Sequence, residues 1–229
     1  MNNYNIYPTL LDGFTAFKSR DDMMETELLA RLNRVGTASV EARRGDAFNK
    51  LIDRMAQGGV PTLETDPETG EFSYTALSRD NYLFYFPVGI CDRMADIYRQ
   101  SVQQVLLKGD IMTRYGNVHL YGYADGVFSS VIRDIKTTKQ YKVGKYRDGW
   151  QAYVYTYCLK QMGGIVTDFF YDVTDFKEVY SEHYNAQRLD LRDRVSEIEE
   201  FIQYIEEKRG VINNPKLFGM EAEKEASHD

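Results

Sequence analysis

An aspartate at position 125 is followed nine residues later by the triplet Asp134-Ile135-Lys136, within a stretch dense in β-branched and aromatic residues. Side chains alternate along a strand, so Asp134 and Lys136 project to one face and Ile135 to the other. With Asp125 at the end of the preceding strand, a hairpin or bulge brings its carboxylate toward Asp134. Two adjacent carboxylates repel unless a cation lies between them, and hard oxygen ligands with open water positions suit Mg²⁺ or Mn²⁺. An ion held by Asp125, Asp134 and the Ile135 carbonyl polarises a phosphodiester and lowers the pKa of a bound water. Lys136 then positions or activates that water and offsets charge developing in the transition state. Downstream, the stretch 136–147 carries five cations and no acid. Its Lys139, Lys142, Lys145 and Arg147 can neutralise the phosphates of bound DNA.

These residues must be positioned by a scaffold, and the pattern supplies one. Apolar spacing predicts helices over residues 9–17, from 21 or 22 to 35, over 39–57 and over 87–98. A hairpin over 61–76 turns at Asp66-Pro67-Glu68-Thr69-Gly70. Strands over 102–107, 111–115, 118–124 and 127–137 form an antiparallel meander, with Asp125-Gly126 as one of its breaks. A helix over 146–162, a strand over 165–173 and a long helix over 186–209 complete the order, before an acidic tail over 219–229. We expect a single α/β domain over residues 1–218.

Composition narrows the classes. At 229 residues, 43% hydrophobic and 28% charged, the chain is an ordinary globular one. Its net charge of −7 is not the footprint of bulk electrostatic binding to nucleic acid, so the basic strip stands out inside an acidic whole. No apolar run approaches the ~18 residues of a membrane span, and the start lacks signal-peptide order, which places the protein in the cytoplasm, away from membranes. Cys91 and Cys158 sit in apolar surroundings and read as buried free thiols, too few for a zinc ribbon or a four-cysteine cluster. No phosphate-binding loop or dinucleotide fingerprint is present, so the chain carries no ATP-driven motor of its own. His119, His183 and His228 have no metal-ligand spacing.

The order Asp125, then Asp134-Ile135-Lys136, then a helix with Gln151 and Tyr155 resembles the PD-(D/E)XK nuclease superfamily, and the Gln-x-x-x-Tyr helix is similar to its RecB-type branch. The resemblance implies a restriction-endonuclease-like fold, a mixed central sheet flanked by helices with the Asp125/Asp134/Lys136 hairpin at its centre. It also implies that Asp125 and Asp134 bind the metal, Lys136 serves the attacking water, and Gln151 and Tyr155 contact the site or the DNA. Their spacing of four places the last two on one helix face. The branch's metal-ligating histidine on an early helix falls at Asn49, within Arg44-Gly45-Asp46-Ala47-Phe48-Asn49. An asparagine oxygen serves Mg²⁺ directly or through water, and Glu41 or Asp46 is an alternative donor. The activity implied is Mg²⁺- or Mn²⁺-dependent cleavage of DNA, exonucleolytic rather than endonucleolytic. It would belong to a stand-alone phage- or prophage-type enzyme of recombination or repair, or to a subunit that joins a separate recombinase or helicase. A homo-oligomer is compatible with this, but nothing in the sequence specifies an interface. The competing reading is a catalytically silent nuclease fold that binds DNA or a protein partner, supported by Asn49 in place of histidine and by the overall acidity. The plainest reading of the motif alone is a solvated hairpin with Asp125-Gly126 as its turn and Asp134 and Lys136 as exposed charges.

Overall fold

The computed structural model describes residues 3–19 and 24–219. A long central strand organises the molecule. This strand, β6 (Gly116–Phe128), pairs along one edge with β5 (Val102–Thr113) in antiparallel register from Val102↔Val127 to Thr113↔Gly116. Its other edge is shared: β1 (Asn3–Ile6) lies parallel to residues 117–120, while β7 (Val131–Thr137) is antiparallel to residues 126–128. Beyond β7 come β8 (Asp168–Thr174), parallel to it, and β9 (Val179–Asn185), antiparallel to β8. The result is a mixed six-stranded sheet with the β6–β7 hairpin inside it. A second, three-stranded antiparallel sheet contains β2 (Thr62–Thr65), β3 (Phe72–Leu77) and β4 (Leu83–Pro87).

Helices cover both faces. On one face, α1 (Pro8–Ser19), α2 (Glu25–Leu32), α5 (Trp150–Gln161) and α6 (Val195–Glu207) enclose a core that includes Leu11, Leu28, Leu120, Ile132, Trp150 and Phe201. On the other, α3 (Val40–Ala56) and α4 (Val88–Tyr98) pack with the small sheet around Phe48, Phe86, Met94 and Tyr98. Ile135 belongs to this second core while Ile132 belongs to the first, the alternation expected of a strand buried on both faces. Both cysteines are buried free thiols. Among the described residues no helix is long and apolar enough to cross a membrane.

Several expected boundaries are corrected. The stretches 102–107 and 111–115 form one continuous strand, because Gly109 lets β5 pass close under α5: a Cβ there would stand 3.3 Å from Cys158 Cα. Asp125-Gly126 is no turn; β6 runs through it and the hairpin closes at residues 129–130, with Ser129 at φ 53°. The helix expected from 146 starts at Trp150, after a loop of turns that includes Gly144 at φ +74°. The long final helix begins only at Val195; the residues before it form two short 3₁₀ turns capped by Asn185 and Asp190. Strands β1, β4 and β9 were not expected. The start of the second helix at 21 or 22, His228 and all of the acidic tail after Gly219 lie outside the described residues.

Candidate active site

The site begins with a reversal in the sheet. On β6, Gly122 faces α5: a Cβ there would lie 2.5 Å from Tyr155 Cε1, so the close approach of that ring requires glycine. Gly126 should face the same way, yet a Cβ on it would meet Tyr98 on the opposite side at 2.8 Å. The neighbouring strand reverses in step. Gly109 on β5 faces α5, whereas Gln103 donates from Nε2 to the Tyr98 carbonyl at 2.9 Å. Gln104 and Asp125 stand opposite each other at the reversal, the one position missing from the β5–β6 ladder. Gln104 takes φ +52°, a left-handed conformation costing a side-chain-bearing residue about 1–2 kcal/mol.

Asp125 is thereby turned into the gap between β6 and β7. Its Oδ2 accepts from the Ile135 amide at 2.7 Å, just past the point where the backbone ladder ends at Gly126↔Arg133. Its Oδ1 accepts from Gln104 Nε2 at 3.2 Å, and the same Nε2 donates to Asp53 Oδ2 on α3 at 2.9 Å. The remaining oxygen, Asp53 Oδ1, is buried and among the described residues has no hydrogen-bond partner.

Across the hairpin, Asp134 is 1% exposed. Lys136 Nζ donates both to Asp134 Oδ2 and to Gln151 Oε1, and Gln151 Nε2 donates to Asp134 Oδ1 at 3.0 Å. Gln151 Nε2 also reaches the Tyr155 hydroxyl at 3.4 Å. One end of α5 is fixed by Asp12, whose Oδ1 accepts from the Trp150 amide at 3.0 Å. This carboxylate caps the helix that carries Gln151.

Burial dominates the electrostatics. It raises Asp125 to about 7, with the neighbouring Asp134 carboxylate adding to the shift. Asp134 is raised by burial against the pull of Lys136, and burial lifts Asp53 to about 6 against the Gln104 hydrogen bond. Asp12 is also raised by burial, partly offset by the Trp150 amide and by Lys136. For Lys136 burial opposes the charge, but the carboxylates of Asp134, Asp125 and Asp12 outweigh it and the pKa is raised. Lys136 is therefore held as an ammonium, suited to charge stabilisation and to positioning rather than to proton abstraction.

Asp125, Asp134, Lys136, Gln151 and Tyr155 thus lie together in one neighbourhood. Asn49 lies on α3 one turn before Asp53 and one turn after Gly45, and among the described residues no hydrogen bond joins it to either carboxylate. The alternative donors face elsewhere: Asp46 accepts from Lys50 Nζ at 2.9 Å and from the Arg79 amide at 2.7 Å, and Glu41 pairs with Lys139 at 2.6 Å. Of the basic strip, Lys139 is engaged by that pair, Lys145 donates to Thr138 Oγ1 at 2.6 Å, and Lys142 and Arg147 are exposed. The loop bearing them is fixed to β9 by the Gly144 amide on Glu182 Oε1 at 2.8 Å and by stacking of Tyr141 on Tyr180 at 4.1 Å. Sequence reading missed Asp53 and Gln104. The available signal was the spacing of four between Asn49 and Asp53, which puts them on one helix face.

An all-oxygen donor set fits Mg²⁺ or Mn²⁺. Among the described residues no three His, Cys, Asp or Glu side chains form a preformed cage. Mg²⁺ does not need one, since it keeps several waters and uses one or two carboxylates plus substrate phosphates. Burial pushes Asp125 and Asp134 toward their neutral forms, and a bound cation would favour the ionised, ligating forms; among the described residues Asp53 Oδ1 is a further buried oxygen without a hydrogen-bond partner.

No protein-family model and no curated protein matches the chain. Among solved structures, SSO0001 is similar with a TM-score of 0.49 at 12% identity, over 88% of this chain and 76% of that one. Rai1 of Scheffersomyces stipitis, in complex with (3'-NADP)⁺ and calcium ion, aligns over 94% of this chain and 76% of its own at 14% identity and a TM-score of 0.29. Rai1 of S. pombe, in complex with 3'-FADP, aligns over 72% of this chain and 58% of its own, at 11% identity and a TM-score of 0.25. Likenesses this distant carry no argument about activity, so the functional reading rests on the side chains themselves.

Proposed function

We propose that this protein is a metal-dependent deoxyribonuclease that hydrolyses phosphodiester bonds. The observation that carries the reading is the single hydrogen-bonded cluster of Asp134, Lys136 and Gln151, with Asp125 held beside it by the Ile135 amide. Asp125, Asp134 and the Ile135 carbonyl would hold Mg²⁺ or Mn²⁺, which when bound supplies Lewis acidity and a water of lowered pKa. The Lys136 ammonium offsets charge on the phosphoryl oxygens and orients the nucleophile. Gln151, bonded to both Asp134 and Lys136, holds the two in register, and the Tyr155 ring on Gly122 fixes the helix that bears it. Lys142 and Arg147 offer exposed charge to DNA phosphates. The RecB-type resemblance favours attack from DNA ends, and a place in recombination or repair of the phage-borne, stand-alone kind, with or without a separate recombinase or helicase.

Incubation of end-labelled linear and closed circular DNA with Mg²⁺ or Mn²⁺ tests this. Cleavage of linear DNA, abolished by chelation and by Lys136→Ala or Asp134→Ala, is expected. The silent-fold reading draws on one observation: both oxygens of Asp134 are already occupied by Lys136 and Gln151. Tight DNA binding with no turnover under any divalent ion would favour it over the enzyme.

A further inference from the structure

A cleft of about 660 Å³ opens where β7 ends, its lining starting at Thr137, one residue past Lys136. The first turns of α3 form its opposite wall. They lie close against the strand, for a Cβ on Gly45 would stand 3.0 Å from Thr137 Oγ1. On that wall the guanidinium of Arg44 lies over the ring of Phe176, 4.0 Å from its centroid, and Phe48 meets Phe176 edge-on at 5.3 Å. The aromatic shelf fixes the plane of the guanidinium and desolvates part of it.

Arg44 makes no ion pair and no hydrogen bond among the described residues. Asp66 and Glu68 act on it only through space. Every acid lining the cleft is already engaged. Glu41 pairs with Lys139 at 2.6 Å, Asp46 pairs with Lys50 at 2.9 Å, and Asp175 accepts from the amides of Lys177 and Glu178 at 3.0 Å each. Arg44 is thus a half-buried cation of the cleft whose forked donors are unused among the described residues. Planar paired N–H groups match the oxygens of a phosphate.

We propose that Arg44, seated on Phe176, forms a phosphate-binding subsite that holds a second phosphate of the nucleic-acid strand while its neighbour lies at Lys136; this rests on the nuclease reading. The ligand is either a phosphodiester within the strand or a terminal phosphomonoester. Fluorescence anisotropy in metal-free buffer, where no turnover occurs, separates them by comparing one short oligonucleotide with and without a 5'-phosphate. Arg44→Ala is expected to weaken binding about tenfold or more. An equal loss on both oligonucleotides marks an internal phosphate, and a loss confined to the phosphorylated one marks a terminal phosphate. Arg44→Lys keeps the charge without the fork and should recover only part of the affinity; it also decides the matter if the alanine variant fails to fold. Unchanged affinity in a folded Arg44→Ala or Arg44→Lys variant overturns the subsite. Should the wild type bind neither oligonucleotide, the nuclease reading fails, and the subsite is judged by inorganic phosphate alone. A phosphate-dependent rise in melting temperature lost in the Arg44 variant sustains it, whereas no rise, or one that the variant retains, overturns it.

Discussion

Asp125 stands between two clusters of opposite character. On the α5 side Asp134 has an ammonium on one oxygen and an amide on the other, and Gln151 bonds both Asp134 and Lys136. On the α3 side Asp53 and Asp125 share the amide of Gln104, the Ile135 amide is Asp125's other donor, and among the described residues one Asp53 oxygen is buried without a partner. A satisfied network is a rigid frame, while an unsatisfied one stores free energy that a ligand can release. On the proposed reading the contrast assigns different tasks to the two sides: α5 would hold the reactive groups in place, and α3 would keep carboxyl oxygens available to a cation.

Substitution at equivalent carboxylates breaks this comparison most directly. Asp134→Asn should lower cleavage on the order of 10³-fold at any Mg²⁺ concentration. Asp53→Asn should lower it about 10–100-fold and be partly rescued by excess Mg²⁺, the behaviour of a group that supports a ligand rather than being one. Equal, unrescued losses in full Mg²⁺ titrations would erase the distinction.

The pH dependence of metal-free stability sharpens it. Asp125 at about 7 and Asp53 at about 6 both lie above their unfolded values, so the stability linked to their protons is complete below about pH 4 and is lost as pH rises through 6 and 7. For Asp125 the loss between about pH 5 and pH 8 is on the order of 2 kcal/mol. Partly exposed Asp53 contributes less because solvent screens it. Calorimetry in chelator should show this slope, its flattening in Asp125→Asn, and its recovery on adding Mg²⁺ at high pH. A smaller effect belongs to Gln104→Gly. It relieves the left-handed backbone and gives up the bridge, so stability should move by less than about 1 kcal/mol while the Mg²⁺ requirement rises a few-fold. A Mg²⁺ titration unchanged in that variant would remove Gln104 from the site.

Much of the α5 side was legible in the sequence, because local rules govern it. Alternation on β7 fixes Asp134 with Lys136, and a spacing of four fixes Gln151 with Tyr155. The α3 side was not, because it depends on a backbone reversal at Gln104 that no propensity encodes. Asp125-Gly126 carries the commonest two-residue turn signal, yet Ser129 and Ser130 take the turn and β6 continues through the pair. β1 has four residues and finds its partner more than a hundred positions away, and β9 mixes charged and aromatic residues without an apolar stripe. Such strands owe their existence to tertiary pairing rather than to local pattern.

The capping of Trp150 by Asp12 spans 138 residues. Closing so distant a contact is entropically expensive, so the β5–β6–β7 hairpins, whose partners are near in sequence, have a head start on the way to the native state. A chain halted after those hairpins would own both central aspartates and the lysine and still lack the frame that aligns them. On the proposed reading, alignment of the site therefore depends on the docking of the first helix, whose Asp12 holds the start of α5.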